Sequence, residues 1–213
     1  MNDLLFNFNA IWDTAVKSSA KRCYYDIFDK LSDYYKPSGK LFSDLVSHME
    51  SMGFFDSPAS TRFHGTNEGD LALHSLGVLV KAASLADIFH VSMSGYDLVY
   101  MIVSCLFHDA CKAGLYIKDF KNVKDEKTGQ WIKQPYFRIK EGSTGCGHGG
   151  ESLRRISKFV DLPNSWELAV YWHMGSYGLS SDENIQYMNA CKAYPEVLLL
   201  HTADMLQVSS GGY

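Results

Sequence analysis

Six metal-ligating side chains, His74, His108, Asp109, His148, His173 and Asp204, are strung along this chain in that order and constrain its fold more than any other feature. Imidazole and carboxylate donors together suit Mn, Fe, Co, Ni or Zn. Two of the six are adjacent, in Leu106-Phe107-His108-Asp109-Ala110-Cys111-Lys112. An apolar helix that only filled a core would continue apolar or end in one polar cap. Here it ends in two ligand types side by side. For these groups to act together, the fold must bring distant segments to one point.

The chain has 213 residues, enough for one domain with a sizeable core. Net charge is -4 and the isoelectric point about 6.0, which argues against a general DNA binder and leaves room for a small anionic partner. Cys23, Cys105, Cys111, Cys146 and Cys191 are odd in number and contain no Cys-x-x-Cys pair, so neither a disulfide framework nor a zinc knuckle is expected. Reduced thiols in a cytoplasmic protein are the simpler reading. The first residues lack the basic start of a secretory signal. The most apolar stretch, 98–107, falls well short of the roughly 20 residues of a membrane span.

The pattern predicts a mainly α fold with one inserted β-hairpin at about 115–140. Residues 1–54 form an N-terminal helical segment packed on a compact unit over 55–213. One or two helices are expected within 1–36, broken by Pro37-Ser38-Gly39, and another from Lys40 to Met52 ended by Gly53. Residues 54–68 read as loop. Leu73, Leu76, Val80 and Ala83 mark one stripe of a helix over 70–89, with His74 on its first turns. A helix from Tyr96 to about Ala110 is apolar nearly all round, which predicts a buried central helix closed by His108 and Asp109. The β-favouring runs around Tyr116–Phe120 and Trp131–Lys133 flank a polar turn and predict a solvent-exposed hairpin. Helices follow over 150–160, 164–174 and 195–207.

Five local strings carry a resemblance. Ser60-Thr61-Arg62-Phe63-His64 with Gly69-Asp70-Leu71-Ala72-Leu73-His74-Ser75-Leu76 comes first. His108-Asp109-Ala110-Cys111-Lys112, Gly147-His148-Gly149, Trp172-His173-Met174-Gly175 and His201-Thr202-Ala203-Asp204 follow in order. Together they resemble the HD superfamily of metal-dependent phosphohydrolases, in a branch of small bacterial and phage HD hydrolases, over about residues 55–208. The resemblance implies a helical HD domain. It implies one or two divalent ions (Mn, Fe, Co, Ni, Zn or Mg), with two expected for the longer ligand set. His74, His108, Asp109 and Asp204 suffice for one ion; His148 and His173 extend the set to two, with Asp109 bridging. A pair of ions can activate water and clamp a phosphoryl oxygen.

The resemblance also implies that Lys112 lies near a substrate phosphate, although this chain has Cys111 where a common form of the motif has glycine. Asp109 and Lys112 are therefore the expected catalytic groups, and Lys112, Arg62 and His64 the expected substrate contacts. A lysine is a mobile point charge suited to phosphate, and a guanidinium can grip two oxygens. Ordinary roles compete: Lys112 as a solvated helix-end charge, Arg62 as a surface loop residue, lone histidines as core or surface. Glu68 or Asp70 are open as acid or base. His201 is either a group orienting a ligand or a packed one, and His48 and His90 default to the surface. The glycine run 141–150 lacks the Gly-Lys-Ser/Thr ending of a phosphate loop and reads instead as a flexible approach to His148. Trp131, Tyr136, Phe137, Tyr171 and Trp172 can stack on a nucleobase, though such residues more often pack. The expected partner is a nucleotide or short oligonucleotide, with homo-oligomerisation open and no membrane contact. Two other readings keep the site: a di-iron HD-fold oxygenase acting on a small alcohol or phosphonate, and a non-catalytic nucleotide-binding protein.

Overall fold

The computed structural model describes residues 6–17, 19–34, 42–61, 65–141 and 147–210. The break expected at Pro37-Ser38-Gly39, the start of the third helix at Lys40, and the glycine segment 142–146 with Cys146 lie outside them. The architecture is mainly helical with one antiparallel hairpin, as the patterning predicts. Helices α1 (Phe8–Lys17), α2 (Ala20–Tyr34) and α3 (Phe42–Ser51) come first; α3 stops where Gly53 takes a left-handed φ of 81°. A 3₁₀ turn at Phe54–Asp56 follows, and then α4 (Asp70–Leu85). Then come α5 (Gly95–Phe107), strands β1 (Tyr116–Lys124) and β2 (Trp131–Ile139), and helices α6 (His148–Ile156), α7 (Asn164–Trp172), α8 (Ser181–Ala193) and α9 (Pro195–Ser209).

Several helix boundaries differ from the sequence reading, and α6 runs His148–Ile156 instead of 150–160. Helix α4 ends at Leu85, and turns lead to His90 at a positive φ of 54°. Helix α5 ends at Phe107, because Asp109 leaves helical geometry (φ -102°, ψ 21°) before a 3₁₀ turn at Ala110–Lys112. That exit separates the carboxylate from the helix axis. Helix α8 was not anticipated. Its signal was present in Ser180-Ser181-Asp182-Glu183: the Ser180 hydroxyl accepts from the Glu183 amide, and the Glu183 carboxylate accepts from the Ser180 amide, a reciprocal capping box.

The core is continuous from the N-terminal helices to α9. Its centre is aromatic. The Phe107 ring lies 5.4 Å from Phe54, 5.6 Å from Tyr24 and 5.7 Å from Phe28, centroid to centroid. All four are fully buried, and each such side chain contributes roughly 1.5–3 kcal/mol by leaving water. Phe107 immediately precedes His108, so this cluster also holds the end of α5 in place. The Tyr24 hydroxyl is 3.2 Å from both the Ala72 and the Leu106 carbonyl oxygens. Helix α2 thereby pins α4 and α5 within two residues of His74 and His108. Helix α9 packs on α4 and α7, and α6 packs on α7. The hairpin strands contact mainly each other. Among the described residues no helix is long and apolar enough to cross a membrane.

Candidate metal centre

Five elements converge on one buried point. Helix α4 supplies His74, the end of α5 supplies His108 and Asp109, the first turn of α6 supplies His148, the end of α7 supplies His173, and the third turn of α9 supplies Asp204. His74, His108, Asp109, His173 and Asp204 are buried, and His148 is half-buried. Three groups have ligand atoms mutually within 4.8 Å: His74, His108 and Asp204; His108, Asp109 and His173; and Asp109, Cys111 and His148. These side chains can hold a metal ion.

Asp109 sits at the middle with its two oxygens facing different ways. Oδ2 is 3.5 Å from His108 Nε2 and 3.9 Å from His74 Nε2. Oδ1 is 2.5 Å from His148 Nε2 and 3.5 Å from His173 Nε2. Asp204 Oδ1 completes the first side, 3.1 Å from His74 Nε2 and 3.9 Å from His108 Nε2.

The tautomers follow from the backbone. His108 Nδ1 is 2.8 Å from the Cys105 carbonyl oxygen, and His173 Nδ1 is 2.7 Å from the Val170 carbonyl oxygen. A carbonyl can only accept, so both Nδ1 atoms carry a proton, and in the neutral imidazole each Nε2 presents a lone pair. Those two Nε2 atoms are buried and have no hydrogen-bond partner among the described residues. Orphaned buried polar atoms are rare and ask for an explanation. An imidazole whose Nδ1 donates to a carbonyl while Nε2 is bare is the usual preparation of a metal ligand.

The electrostatics are those of a cation site. Burial pushes Asp109 up, but Lys112, His108 and His148 outweigh it and hold the carboxyl well below its ordinary value. Asp204 is likewise depressed: burial opposes it, and the hydrogen bond and charge of His74 with the charge of His108 prevail. Burial lowers His148, yet Asp109 carries it to about 10. His108 is raised on balance by Asp109 and Asp204 against its burial, whereas burial dominates at His173 and lowers it.

Lys112, read as either a phosphate ligand or a solvated helix end, is neither solvated nor remote: its Nζ lies 2.6 Å from Asp109 Oδ2. Burial disfavours its charge, and Asp109 more than restores it, so it stays cationic. His201 Nδ1 donates to the His173 carbonyl oxygen at 2.7 Å, so it steadies the turn that carries a ligand. Gly175, at φ 66°, lets the chain pass this ring: a Cβ there would fall 2.5 Å from His201 Cε1. Trp172 is buried beside Tyr187, a packing role. Glu68 pairs with Lys118, and Asp70 Oδ2 accepts from the Asn67 amide at the start of α4. His48 is corrected from a surface residue to a half-buried one, its ring 5.0 Å from that of Phe159. The proposed substrate contacts Arg62 and His64 lie outside the described residues.

Three supporting groups escaped the sequence reading. Cys111 joins the Asp109 and His148 ligand group, which its adjacency to the His-Asp pair allowed one to suspect. Ser152 Oγ accepts from the Cys111 amide, and Arg155 Nη1 donates to the Ala110 and Ala113 carbonyls. Nothing local foretells the last two, because each contact joins α6 to a segment some 40 residues earlier in the chain.

Comparison with known proteins gives no relative: no family model, no curated protein and no solved structure matches the chain.

Proposed function

We propose that this protein is a divalent-metal-dependent phosphohydrolase of the HD type, cleaving a phosphoester of a nucleotide or oligonucleotide. The observation that carries the reading is the pair of buried, partnerless Nε2 atoms of His108 and His173, converging with His74, His148 and Asp204 on the two oxygens of Asp109. His74, His108 and Asp204 would hold one ion on the Oδ2 side. His148 and His173, on the Oδ1 side of Asp109, would extend the donor set to a second. When bound, a divalent ion there acidifies water towards neutrality and offsets charge on a phosphoryl oxygen.

The chain's own residues do the rest. The backbone carbonyls of Cys105 and Val170 keep His108 and His173 in the ligand tautomer. Lys112 supplies a counter-charge to Asp109. The same ammonium, beside Asp109, would be in place to hold a substrate phosphate. This lysine favours phosphate chemistry over oxidation of a neutral alcohol.

The test is direct. Protein purified without added metal, analysed for elements and then screened for phosphate release across nucleotides, cyclic dinucleotides and short oligonucleotides, should contain a first-row divalent metal and turn over at least one class. Asp109→Ala should lose both metal and turnover while keeping its helical circular dichroism. Robust activity in a metal-stripped Asp109→Ala sample sinks the proposal, and oxygen uptake by iron-loaded protein without phosphate release would transfer the site to oxidative chemistry.

A further inference from the structure

The hairpin is a basic arm on an acidic molecule. Residues 116–139 hold six Lys or Arg against three Asp or Glu, a net charge of +3 in a chain whose total is -4. Its two faces differ. Directly opposed residues of an antiparallel pair share a face. On one face Arg138 Nε binds Asp119 Oδ2 at 2.8 Å, and Lys121 stands over the Tyr136 ring at 5.8 Å, so that face satisfies itself.

The other face alternates rings with ammonium groups and has no acid. From its root it runs Tyr116, then Lys118 opposite Phe137, then Phe120, then Lys133, and finally Lys124 opposite Trp131. Phe120 is 57% exposed and Trp131 72% exposed, both on this face. Lys124 and Lys133 make no ion pair among the described residues. At the root, Tyr116 lies within electrostatic reach of Lys112 and Asp109. At about 3.4 Å per residue, the face extends roughly 27 Å from Tyr116 to the rung of Lys124 and Trp131.

We infer that this face is a binding track for single-stranded nucleic acid that leads a strand to the metal centre. Stacked bases need exposed rings, and a phosphate chain needs unpaired cations beside them; the outer half of the face offers both, Phe120 and Trp131 with Lys124 and Lys133, while Lys118 nearer the root is paired with Glu68. A duplex hides its bases and suits the face less. An apolar protein partner would not call for a lysine at three of five rungs. The choice of oligonucleotide as substrate class rests on the hydrolase reading, but binding by the hairpin does not need turnover.

The experiment separates the two. Fluorescence anisotropy of labelled oligothymidylate and oligouridylate, each about 12 nucleotides long, is measured with the whole chain in EDTA, alongside a duplex control. Phosphate release from a mononucleotide by metal-loaded wild type is measured independently. Wild type should bind both single strands and bind duplex more weakly. Trp131→Ala should weaken binding about tenfold, with Trp131→Phe restoring most of it. Replacing both Lys124 and Lys133 by Ala should flatten the log-log salt slope by about 1.4, near 0.7 for each lost phosphate contact. Lys121→Ala, on the opposite face, should bind as wild type. Absence of single-strand binding at low salt, or equal binding by Trp131→Ala, overturns the inference. So does a dimer that dissociates on Trp131→Ala without nucleic-acid binding, which would assign the face to a second copy. Binding that persists while no phosphoester is ever cleaved removes the hydrolase reading alone.

Discussion

Asp109 does its work through the separation of its two oxygens. Oδ2 faces His74, His108 and Lys112, and Oδ1 faces His148 and His173. A carboxylate buried this deeply would be costly if unpaired, so its surroundings are cationic or ready to bind a cation. Lys112 is the informative neighbour to remove. Lys112→Ala should keep bound metal, because no ligand is lost, while kcat/KM for a phosphoester falls roughly 100-fold through loss of one charge on the transferring group. Elemental analysis and steady-state kinetics on the same preparation check both halves; loss of metal instead would make Lys112 structural. At this scale the sequence was legible where chemistry is rare: adjacent His-Asp and well-ordered histidines stand out from a core of Leu, Val and Phe. It was illegible for Tyr24, whose hydroxyl meets carbonyls 48 and 82 residues away, since a tyrosine on an amphipathic helix has no local mark of such a contact.

Elements set the precision of the site. Helix α6 carries His148 on its first turn and lies so close to α7 that a Cβ on Gly149 would fall 2.1 Å from the Tyr171 carbonyl oxygen. Backbone cannot yield cheaply, so Gly149→Ala should destabilise by about 1–3 kcal/mol and withdraw His148 from Asp109. The urea midpoint should fall, and the metal content should drop with it; unchanged values for both would show that the contact is not needed. The same helix carries a clasp: Glu151 binds Arg154 and Arg155, and Arg155 holds the turn after Asp109. The two guanidiniums pull Glu151 down to about 2, chiefly through the Arg154 hydrogen bond. A depressed carboxylate stabilises the fold fully above its unfolded value near 4.5 and loses that contribution as pH falls towards 2. The stability gap between wild type and Glu151→Gln should therefore be widest at neutral pH and narrow between pH 5 and 2. Urea denaturation across that range reads it, and a constant gap would contradict the clasp. Helix positions were legible from apolar stripes, whereas α8 needed its capping box, because its exposed face has little apolar periodicity to detect.

Across the whole molecule, the ligands come from α4, α5, α6, α7 and α9, so any ion they hold ties most of the helical body together. Ligand binding to the folded state alone raises stability by about 4 kcal/mol when the free ion stands at roughly 1,000 times its dissociation constant. Manganese or iron added after EDTA treatment should raise the melting temperature in one cooperative step, and Asp109→Ala should show no such rise. An upward shift that persists in that variant would place the ion elsewhere. Residue chemistry and periodicity within a few turns already fix the donor set, its order, the mainly helical class and the hairpin. Packing alone set which oxygen of Asp109 each imidazole faces, drew Lys112 in beside it, brought Cys111 into the group, and left the rings of Phe120 and Trp131 exposed on one hairpin face. Those facts are set by the packing of helices far apart in the chain, where a shift of one ångström decides whether donors share an ion, and no local pattern of residues encodes such a distance.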